Sequence, residues 1–451
     1  MPDSRPVIAV VHDRGSASLL DIVDGLEPLG TPVLALCPSE HTAEVRPLAE
    51  ELALVVPLDT DDLDASARLL AAHAPDAVLT FSESRLAVTA QLAARLGLPY
   101  HSPATVELLR DKYAQRRRLR ERGVDSVRSY RLRRPADWPA ALAAVGLPAV
   151  LKPASGEGSR STHPVEDPGR GAALAAELLS GAGREDSLVL EEYLHGRDCG
   201  PWGDYVSVES AVSGGRISHW AVTGKFPLAP PFRETGHLRP APLPESDREA
   251  TLRLVTRALK ALGITTGITH TEVKLTPAGP RLIEVNGRLG GWQTQLAHLA
   301  GDVDPVTLAG RVALGRDVSG VRTADDRVVF TRFVTAPVEG GTYVSSHGLR
   351  AALALPGVRS VVSRYSPGER IPPGVHSGEL AWVEGEAADH ESVLRVVEEA
   401  LRELSFTVEA PHGTRHVMSE PTPAPVSGPA SGHGSSTARA RSVTLSPSPG
   451  P

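Results

Sequence analysis

The segment from Thr269 to Arg288 restricts the fold more than any other part of the chain. It reads His270-Thr-Glu-Val-Lys274, a turn over Thr276–Pro280, then Arg281-Leu-Ile-Glu-Val-Asn-Gly-Arg288. Two alternating runs around a short turn predict a β-hairpin, with strands over Thr269–Leu275 and Arg281–Asn286. Successive strand side chains point to opposite faces, so His270, Glu272 and Lys274 share one face. Glu284 and Asn286 share a face of the second strand, and Ile283 and Val285 fill the other side. With Leu275 paired to Arg281 across the turn, Glu272 lies opposite Glu284. Two carboxylates so placed repel each other. A divalent cation removes the repulsion. Glu272, Glu284 and Asn286 offer only oxygen ligands, the set that suits Mg²⁺ rather than zinc. Mg²⁺ completes its shell with water and nucleotide phosphates, so a nucleotide is implied. Arg288 adds a planar fork suited to phosphate or carboxylate. The alternative is an exposed hairpin edge with solvated charges. The clean alternation of the apolar face weighs against it.

The first hundred residues alternate short apolar runs with helical patterns. Val7–Val11, Pro32–Cys37, Leu52–Val56 and Ala77–Phe81 read as strands, and Asp64–His73 and Arg85–Leu96 as helices. Such alternation predicts a parallel sheet covered by helices. No GxGxxG follows the first strand, so a dinucleotide site is not supported. Ser82 and Glu83 follow a strand end, where ligands meet such sheets. A solvated glutamate is the plainer reading of Glu83.

From Asp111 the pattern changes. A basic helix over Asp111–Arg122 ends at Gly123, and Ser126–Leu132 reads as a strand. Helices are predicted near Asp247–Leu262 and Gln293–Leu299, then strands Val328–Val334, Val358–Arg364 and Leu380–Val383, and a helix over His390–Leu404. The fold class is therefore α/β followed by α+β. From Ser419 to Pro451 the chain is Pro, Ser, Gly and Ala with scarcely an apolar cluster, so this tail is expected to be disordered.

The composition excludes several classes of function. A net charge of −7 gives no general basic footprint, which argues against nucleic acid or an anionic membrane as partner. Cys37 and Cys199 are too few for a disulfide framework or a thiolate metal site. No apolar run approaches the roughly 18–20 residues that span a bilayer, and no signal pattern opens the chain. A cytoplasmic location is expected.

Ala149-Val-Leu-Lys-Pro-Ala-Ser-Gly-Glu-Gly-Ser-Arg-Ser161 is the second chemical signal. A strand delivers Lys152, and a loop of small residues lets backbone N–H groups approach phosphate. The lysine precedes the glycines, so this is not a Walker A loop. A plain surface loop is the alternative. Leu188-Val-Leu-Glu-Glu-Tyr-Leu194 reads as a strand whose backbone can hold an adenine edge and whose carboxylates can take ribose hydroxyls. It reads equally well as an ordinary buried strand end.

Taken in order, Asp111-Lys112, Lys152 with its loop, Glu191-Glu192-Tyr193-Leu194, Glu272, Glu284-Val-Asn286 and Arg288 resemble the ATP-grasp superfamily. The resemblance covers roughly Ile8 to Val408. It implies an N-terminal parallel α/β domain over residues 1–105 and a two-part ATP-binding domain over 106–325, with a lid subdomain at about 125–195. A small C-terminal α+β domain over 326–418 would precede the tail. By the same resemblance Lys112 and Lys152 contact ATP phosphates, and Ser155, Gly156, Gly158 and Ser159 close over them. Glu191 to Leu194 line the adenine and ribose pocket. Glu272, Glu284 and Asn286 hold Mg²⁺, with Mn²⁺ as an alternative, and Arg288 stabilises an acyl phosphate or tetrahedral intermediate.

A closer resemblance rests on Val222-Thr-Gly-Lys225, Pro231-Phe-Arg-Glu-Thr-Gly-His237, Pro240-Ala241 and Glu284-Val-Asn-Gly-Arg-Leu-Gly-Gly-Trp292. These look like the L-amino-acid ligases. The resemblance implies that Glu234, His237 and Arg288 face the substrates, with Glu83, His270, Gly290 and Gly291 nearby. Trp292 would narrow the pocket for the first amino acid and favour a small acyl donor such as alanine; a core aromatic opening a helix is the alternative. Glu234 or His237 is the candidate general base. One stretch departs from the family. Arg197-Asp-Cys-Gly-Pro-Trp-Gly-Asp-Tyr205 is longer than its usual counterpart. Asp204 or Asp198 would replace the usual glutamate there, and Trp202 is a lid or an exposed loop aromatic. The reaction implied joins a small-molecule carboxylate to an amine with ATP, and a homodimer fits the family. A non-amino-acid acceptor and a non-catalytic nucleotide-binding regulator are the competing readings.

Overall fold

The computed structural model describes residues 5–181, 183–375, 378–410, 413 and the backbone of 415–418. The tail expected to be disordered, 419–451, lies outside the described residues. Among those that are described, no helix is long and apolar enough to cross a membrane.

The alternating N-terminal segments form a parallel sheet of four strands in the order Leu54–Pro57, Thr31–Leu36, Val7–His12, Ala77–Leu79. Both faces are covered, which explains why the strands read as continuous apolar runs. Ile8 and Val10 pack with Leu19, Ile22 and Leu26 on one side. Ala9 and Val11 pack with Leu70, Leu92 and Ala93 on the other. Strand order reverses at Val7–His12, so a crevice opens beyond its C-terminal end, between the loops that follow His12 and Leu79.

A second sheet, antiparallel and four-stranded, has the order Ser129–Leu132, Leu188–Glu192, Ala149–Pro153, His163–Val165. Helices Trp138–Val145 and Pro168–Ser180 cover one face, where Trp138, Leu151, Leu179 and Leu190 make the core. Gly171 admits the Trp138 ring: a Cβ there would lie 2.4 Å from it.

The largest sheet has eight strands: Gly279–Asn286, Gly267–Thr276, Tyr205–Ser213, Arg216–Lys225, Gly236–Arg239, Val328–Thr335, Glu379–Ala387 and Val358–Ser363. Its last three strands come from the segment expected to be a separate C-terminal unit. Gly236–Arg239 makes the join by pairing with Arg216–Lys225 on one side and Val328–Thr335 on the other. At Gly236 (φ +144°) a Cβ would lie 2.3 Å from the Thr331 carbonyl oxygen, so only glycine allows this approach. The rest of the C-terminal segment forms a small sheet of Arg370–Ile371, Gly341–His347, Ser405–Glu409 and Arg415–Met418. Helix Pro305–Ala313 ties the large sheet to the parallel one, with Val306, Leu308 and Val312 buried against Ile22, Leu26 and Ile268.

Candidate active site

A cleft of about 410 Å³ lies where the parallel sheet, the four-stranded sheet of Ser129–Leu132, Leu188–Glu192, Ala149–Pro153 and His163–Val165 (the lid sheet) and the eight-stranded sheet converge. Every residue expected at the site lines it except Glu83, His237 and Gly290. Those three stand one layer behind, against Arg288, Glu234 and His270 respectively.

The hairpin forms, but with a different register at the turn. Leu275 pairs with Pro280 and Lys274 with Arg281, one residue away from the expected Leu275–Arg281 pairing. A β-bulge then takes up one residue, so Glu272 does face Glu284. The bulge also changes which side chains are buried. Leu282 and Val285 enter the core, whereas Ile283, expected on the apolar side, turns into the cleft.

This hairpin strand lies at the edge of the large sheet, and side chains cap its outer backbone. The Gln115 amide donates to the Val285 carbonyl (2.9 Å) and accepts from the Val285 N–H (2.8 Å). Arg116 donates to the carbonyls of Leu282 (2.7 Å) and Ile283 (2.6 Å). Asp125 accepts from the Leu282 N–H at 2.8 Å. Neither Gln115 nor Arg116 stood out in the sequence; the signal was a helix that put polar groups where its apolar face should be.

Glu284 lies 3.1 Å from the Lys112 ammonium and accepts from the Asn286 amide at 3.2 Å. Burial alone would raise its carboxyl, but the ammonium groups of Lys112 and Lys152 outweigh burial and hold it at about 2. Among the described residues no cluster of three or more His, Cys, Asp or Glu could hold a metal unaided. Two facing carboxylates and an amide fit an ion that draws its remaining ligands from water and phosphate, which is the habit of Mg²⁺.

Lys112 also donates to the Gly156 carbonyl at 2.7 Å, joining the hairpin to the glycine-rich loop. In that loop Gly156, Gly158, Ser159 and Ser161 all have positive φ. Glu157 reaches across the cleft to Arg288 at 2.7 Å, and the Ser161 N–H donates to the Val375 carbonyl at 2.9 Å. The loop thus spans from the lid sheet to the C-terminal segment.

Glu191 lines the cleft, but its carboxylate is engaged by protein groups. Its carboxylate is buried and bound by Arg116 through two bonds (3.0 and 2.9 Å) and by Lys152 at 2.9 Å. Burial pushes this carboxyl up, yet the two cations hold it down at about 2. It is therefore occupied and not free to take ribose hydroxyls. Glu192 pairs with Arg128 at 2.7 Å. Beyond Leu194, Asp204 pairs with cleft-lining Lys274 at 2.6 Å, whereas Asp198 only caps the turn at Gly200 in a separate hollow. Asp204 is thus the acid that adjoins the cleft. Trp202 is neither a lid nor an exposed aromatic: it docks on Phe226 (5.5 Å between centroids) and His390 (5.9 Å).

At the opposite end, Glu83 is not solvated. It is buried, and its carboxylate lies 3.2 Å from Arg288. Trp292 adopts a left-handed backbone (φ 65°) at the start of helix Gln293–Ala300. Its ring packs on Phe333 (4.7 Å) and Trp382 (5.2 Å), with part of it in the cleft. His270 donates from Nδ1 to Glu209 at 2.7 Å, and this buried carboxylate overcomes desolvation to raise the imidazole to about 9. Gly290 serves that ring, since a Cβ would lie 2.2 Å from its Nδ1.

Lys225 is buried and lies 2.9 Å from both Glu234 Oε1 and His237 Nδ1. Burial and the Lys225 ammonium push the His237 imidazole down to about 3. Burial opposes ionisation of Glu234, but Lys225 and His237 hold its carboxyl below the usual range. Both groups are weak bases near neutral pH, which speaks against the general-base role expected of them. Lys225 stood in the Val222–Lys225 motif without a role assigned to it, and Glu209 was not singled out at all, being the one charge in strand Tyr205–Ser213.

Models of known families match this chain in two places: the ATP-grasp domain over residues 145–295 and the L-amino acid ligase C-terminal domain 2 over residues 332–409. An uncharacterized protein of Sinorhizobium fredii, y4rH, is 30% identical over 389 residues, or 83% of this chain and 78% of that protein. The alanine–anticapsin ligase of Bacillus subtilis is 31% identical over 233 residues, covering 48% of this chain and 49% of the ligase. Carnosine synthase 1 of Gallus gallus is 35% identical over 244 residues, covering 48% of this chain and 25% of the synthase. These matches thus span about half and about a quarter of those two relatives. In fold, the chain resembles the crystal structure of an L-amino acid ligase from Bacillus licheniformis (TM-score 0.71, 22% identity, 90% of this chain and 99% of that one).

The chain belongs to the ATP-grasp superfamily. Within it, residues 332–409 match the L-amino acid ligase C-terminal domain 2, and about half of the chain is related to alanine–anticapsin ligase.

Proposed function

We propose that the protein converts an amino acid, or another carboxylate, into its acyl phosphate and couples it to an amine. An L-amino acid is the first candidate for that amine, and the products are a dipeptide or amide, ADP and phosphate. One observation carries the reading: Glu272 and Glu284 face each other beside Asn286, in the same cleft as Lys112, Lys152 and Arg288.

A carboxylate is a poor electrophile because oxide is a poor leaving group. Its oxygen would attack the γ-phosphorus of ATP as the bond to ADP breaks. Lys112, Lys152 and Arg288 would spread the charge that develops. Glu272, Glu284 and Asn286 would hold Mg²⁺, or Mn²⁺ in its place, which would supply further positive charge to the triphosphate. The amine then attacks the acyl carbon, loses a proton, and phosphate leaves. Water would destroy the acyl phosphate. The loop over Ser155–Ser161, held across the cleft by Glu157 and Ser161, suits a lid that excludes it. Trp292 supports a small acyl donor such as alanine, because Phe333 and Trp382 hold its ring in the cleft.

The test is phosphate release from ATP and Mg²⁺ across single and paired amino acids, with Glu284→Ala as control. Release only with pairs, lost in the control and matched by a dipeptide mass, is the expected result. No release with any pair would move the acceptor outside the amino acids.

A further inference from the structure

Cations in this cleft are nearly all spoken for. Lys112 pairs with Glu284, Lys152 and Arg116 with Glu191, Arg160 with Glu185, Lys274 with Asp204, and Arg288 with Glu83 and Glu157. Arg14 is different. It lines the same cleft, its side chain is exposed there, and among the described residues it makes no ion pair. Neighbouring Asp13 does not neutralise it, because that carboxylate is taken by Arg85 and by the Ser39 hydroxyl (2.9 Å).

The loop that carries Arg14 is firmly held. The Ser16 N–H donates to the Phe81 carbonyl at 2.9 Å, and the Ser82 hydroxyl donates to the Arg14 carbonyl at 2.7 Å. Gly15 permits this approach, since a Cβ would lie 2.3 Å from the Phe81 oxygen. The loop follows the strand at which sheet order reverses, the usual place for a ligand in such sheets. Ser82 is followed by Glu83, which holds Arg288. The loop that carries Arg14 is therefore held beside the segment of Glu83, the partner of Arg288, and Arg14 lines the cleft from that side.

An amino acid acceptor keeps its own carboxylate throughout the reaction. That group enters a partly dehydrated cleft and needs a cation that is not already paired. A guanidinium fork meets a carboxylate through two parallel bonds. We propose that Arg14 anchors a carboxylate on the acceptor, so that the acceptor is an amino acid and not a simple amine. This rests on the acyl-phosphate reading above and narrows its acceptor.

Two measurements separate the two claims. With wild-type protein, ATP and the acyl donor, hydroxylamine should trap the acyl phosphate as a hydroxamate; if no acid gives one, the acyl-phosphate reading fails and takes this inference with it. The best amino acid acceptor is then compared with its carboxamide in wild type, Arg14→Met and Arg14→Lys. The ratio of kcat/KM for acid over amide should fall about ten- to a hundredfold in Arg14→Met, the worth of a hydrogen bond to a charged group. Arg14→Lys should restore part of it. An unchanged ratio, or a rise in KM for ATP or the acyl donor in place of the acceptor, would overturn the proposal.

Discussion

Trp292 combines a packed ring with a left-handed backbone at the mouth of helix Gln293–Ala300. Core aromatic and pocket wall were alternatives on paper; the structure gives it both positions, packed on Phe333 and Trp382 with part of the ring in the cleft. What the sequence did not carry is its left-handed backbone, a conformation that costs a non-glycine residue about 1 kcal/mol or more. Trp292→Gly should therefore relieve backbone strain while it removes the wall. Phosphate release with a bulky acyl donor such as leucine should rise relative to alanine by about tenfold or more, the scale on which an apolar pocket discriminates by size. Competition assays with the two donors would measure it, and an unaltered preference would show that the wall lies elsewhere. Glu284 belongs to the same scale. Glu284→Ala leaves Lys112 without its carboxylate and Asn286 without its acceptor. ATP turnover should fall at least about a hundredfold, as when one electrostatic group at a reacting phosphate is lost, while the ellipticity of the folded protein stays unchanged.

Between elements, the hairpin edge and the lid meet through one helix, Lys112–Glu121. Gln115 satisfies both backbone groups of Val285, and Arg116 bridges Glu191 of the lid sheet to two carbonyls of the hairpin. Gln115→Leu leaves a buried N–H and C=O unpaired, at about 1–3 kcal/mol each. Arg116→Met leaves Glu191 with Lys152 alone, and breaking a buried pair in this way costs about 3–5 kcal/mol. Urea midpoints should fall in both variants with the slope unchanged, and the double variant should reveal coupling because both side chains cap one strand. Equal stability in Gln115→Leu would mean that water replaces the amide. These contacts also explain where the sequence stopped being readable. Strand identity and helix positions came from periodicity, a local property; the facing of Glu272 and Glu284 came from a Leu275–Arg281 pairing that the structure replaces, and it holds because the bulge offsets the one-residue shift. The bulge at Ile283 left no such trace, because an extra residue leaves the alternation on either side looking regular. Nor did the joining of Val328–Thr335 to the large sheet, which depends on the pairing of Gly236–Arg239 far along the chain.

For the whole molecule the governing fact is how many titratable groups are buried between the layers. His12, His101 and His219 are each pushed down to about 4, in every case chiefly by burial. His101 binds the Gly287 carbonyl at 3.0 Å and so fastens the N-terminal layer to the end of the hairpin. His219 bridges Ser210 (2.8 Å) and Thr256 (2.7 Å), strand to helix. A histidine kept neutral in the fold but free to charge when unfolded has one sign of effect. Its stabilisation is complete above pH 6.5, drains as the pH falls toward 4, and is then gone, because over that window the unfolded chain binds the additional proton. Each such group is worth up to about 3 kcal/mol by this linkage, and three together rival the roughly 5–15 kcal/mol that holds a typical domain folded. Glu191 and Glu284, held at about 2, act in a lower window, between about 4.5 and 2. Acidification should thus weaken the protein in two stages, and the thermal midpoint should already drop between pH 6.5 and 4.5. His219→Gln keeps a polar bridge between Ser210 and Thr256 but removes one titrating group. Its stability at pH 7 should be close to that of the wild type or slightly lower, and its loss of stability toward pH 4.5 should be shallower by about one proton's worth of slope. Thermal melts of both proteins across that range would decide the matter. Parallel curves would mean that His219 titrates normally in the fold, and that the acid sensitivity belongs to the other buried histidines, His12, His101 and His237 among them.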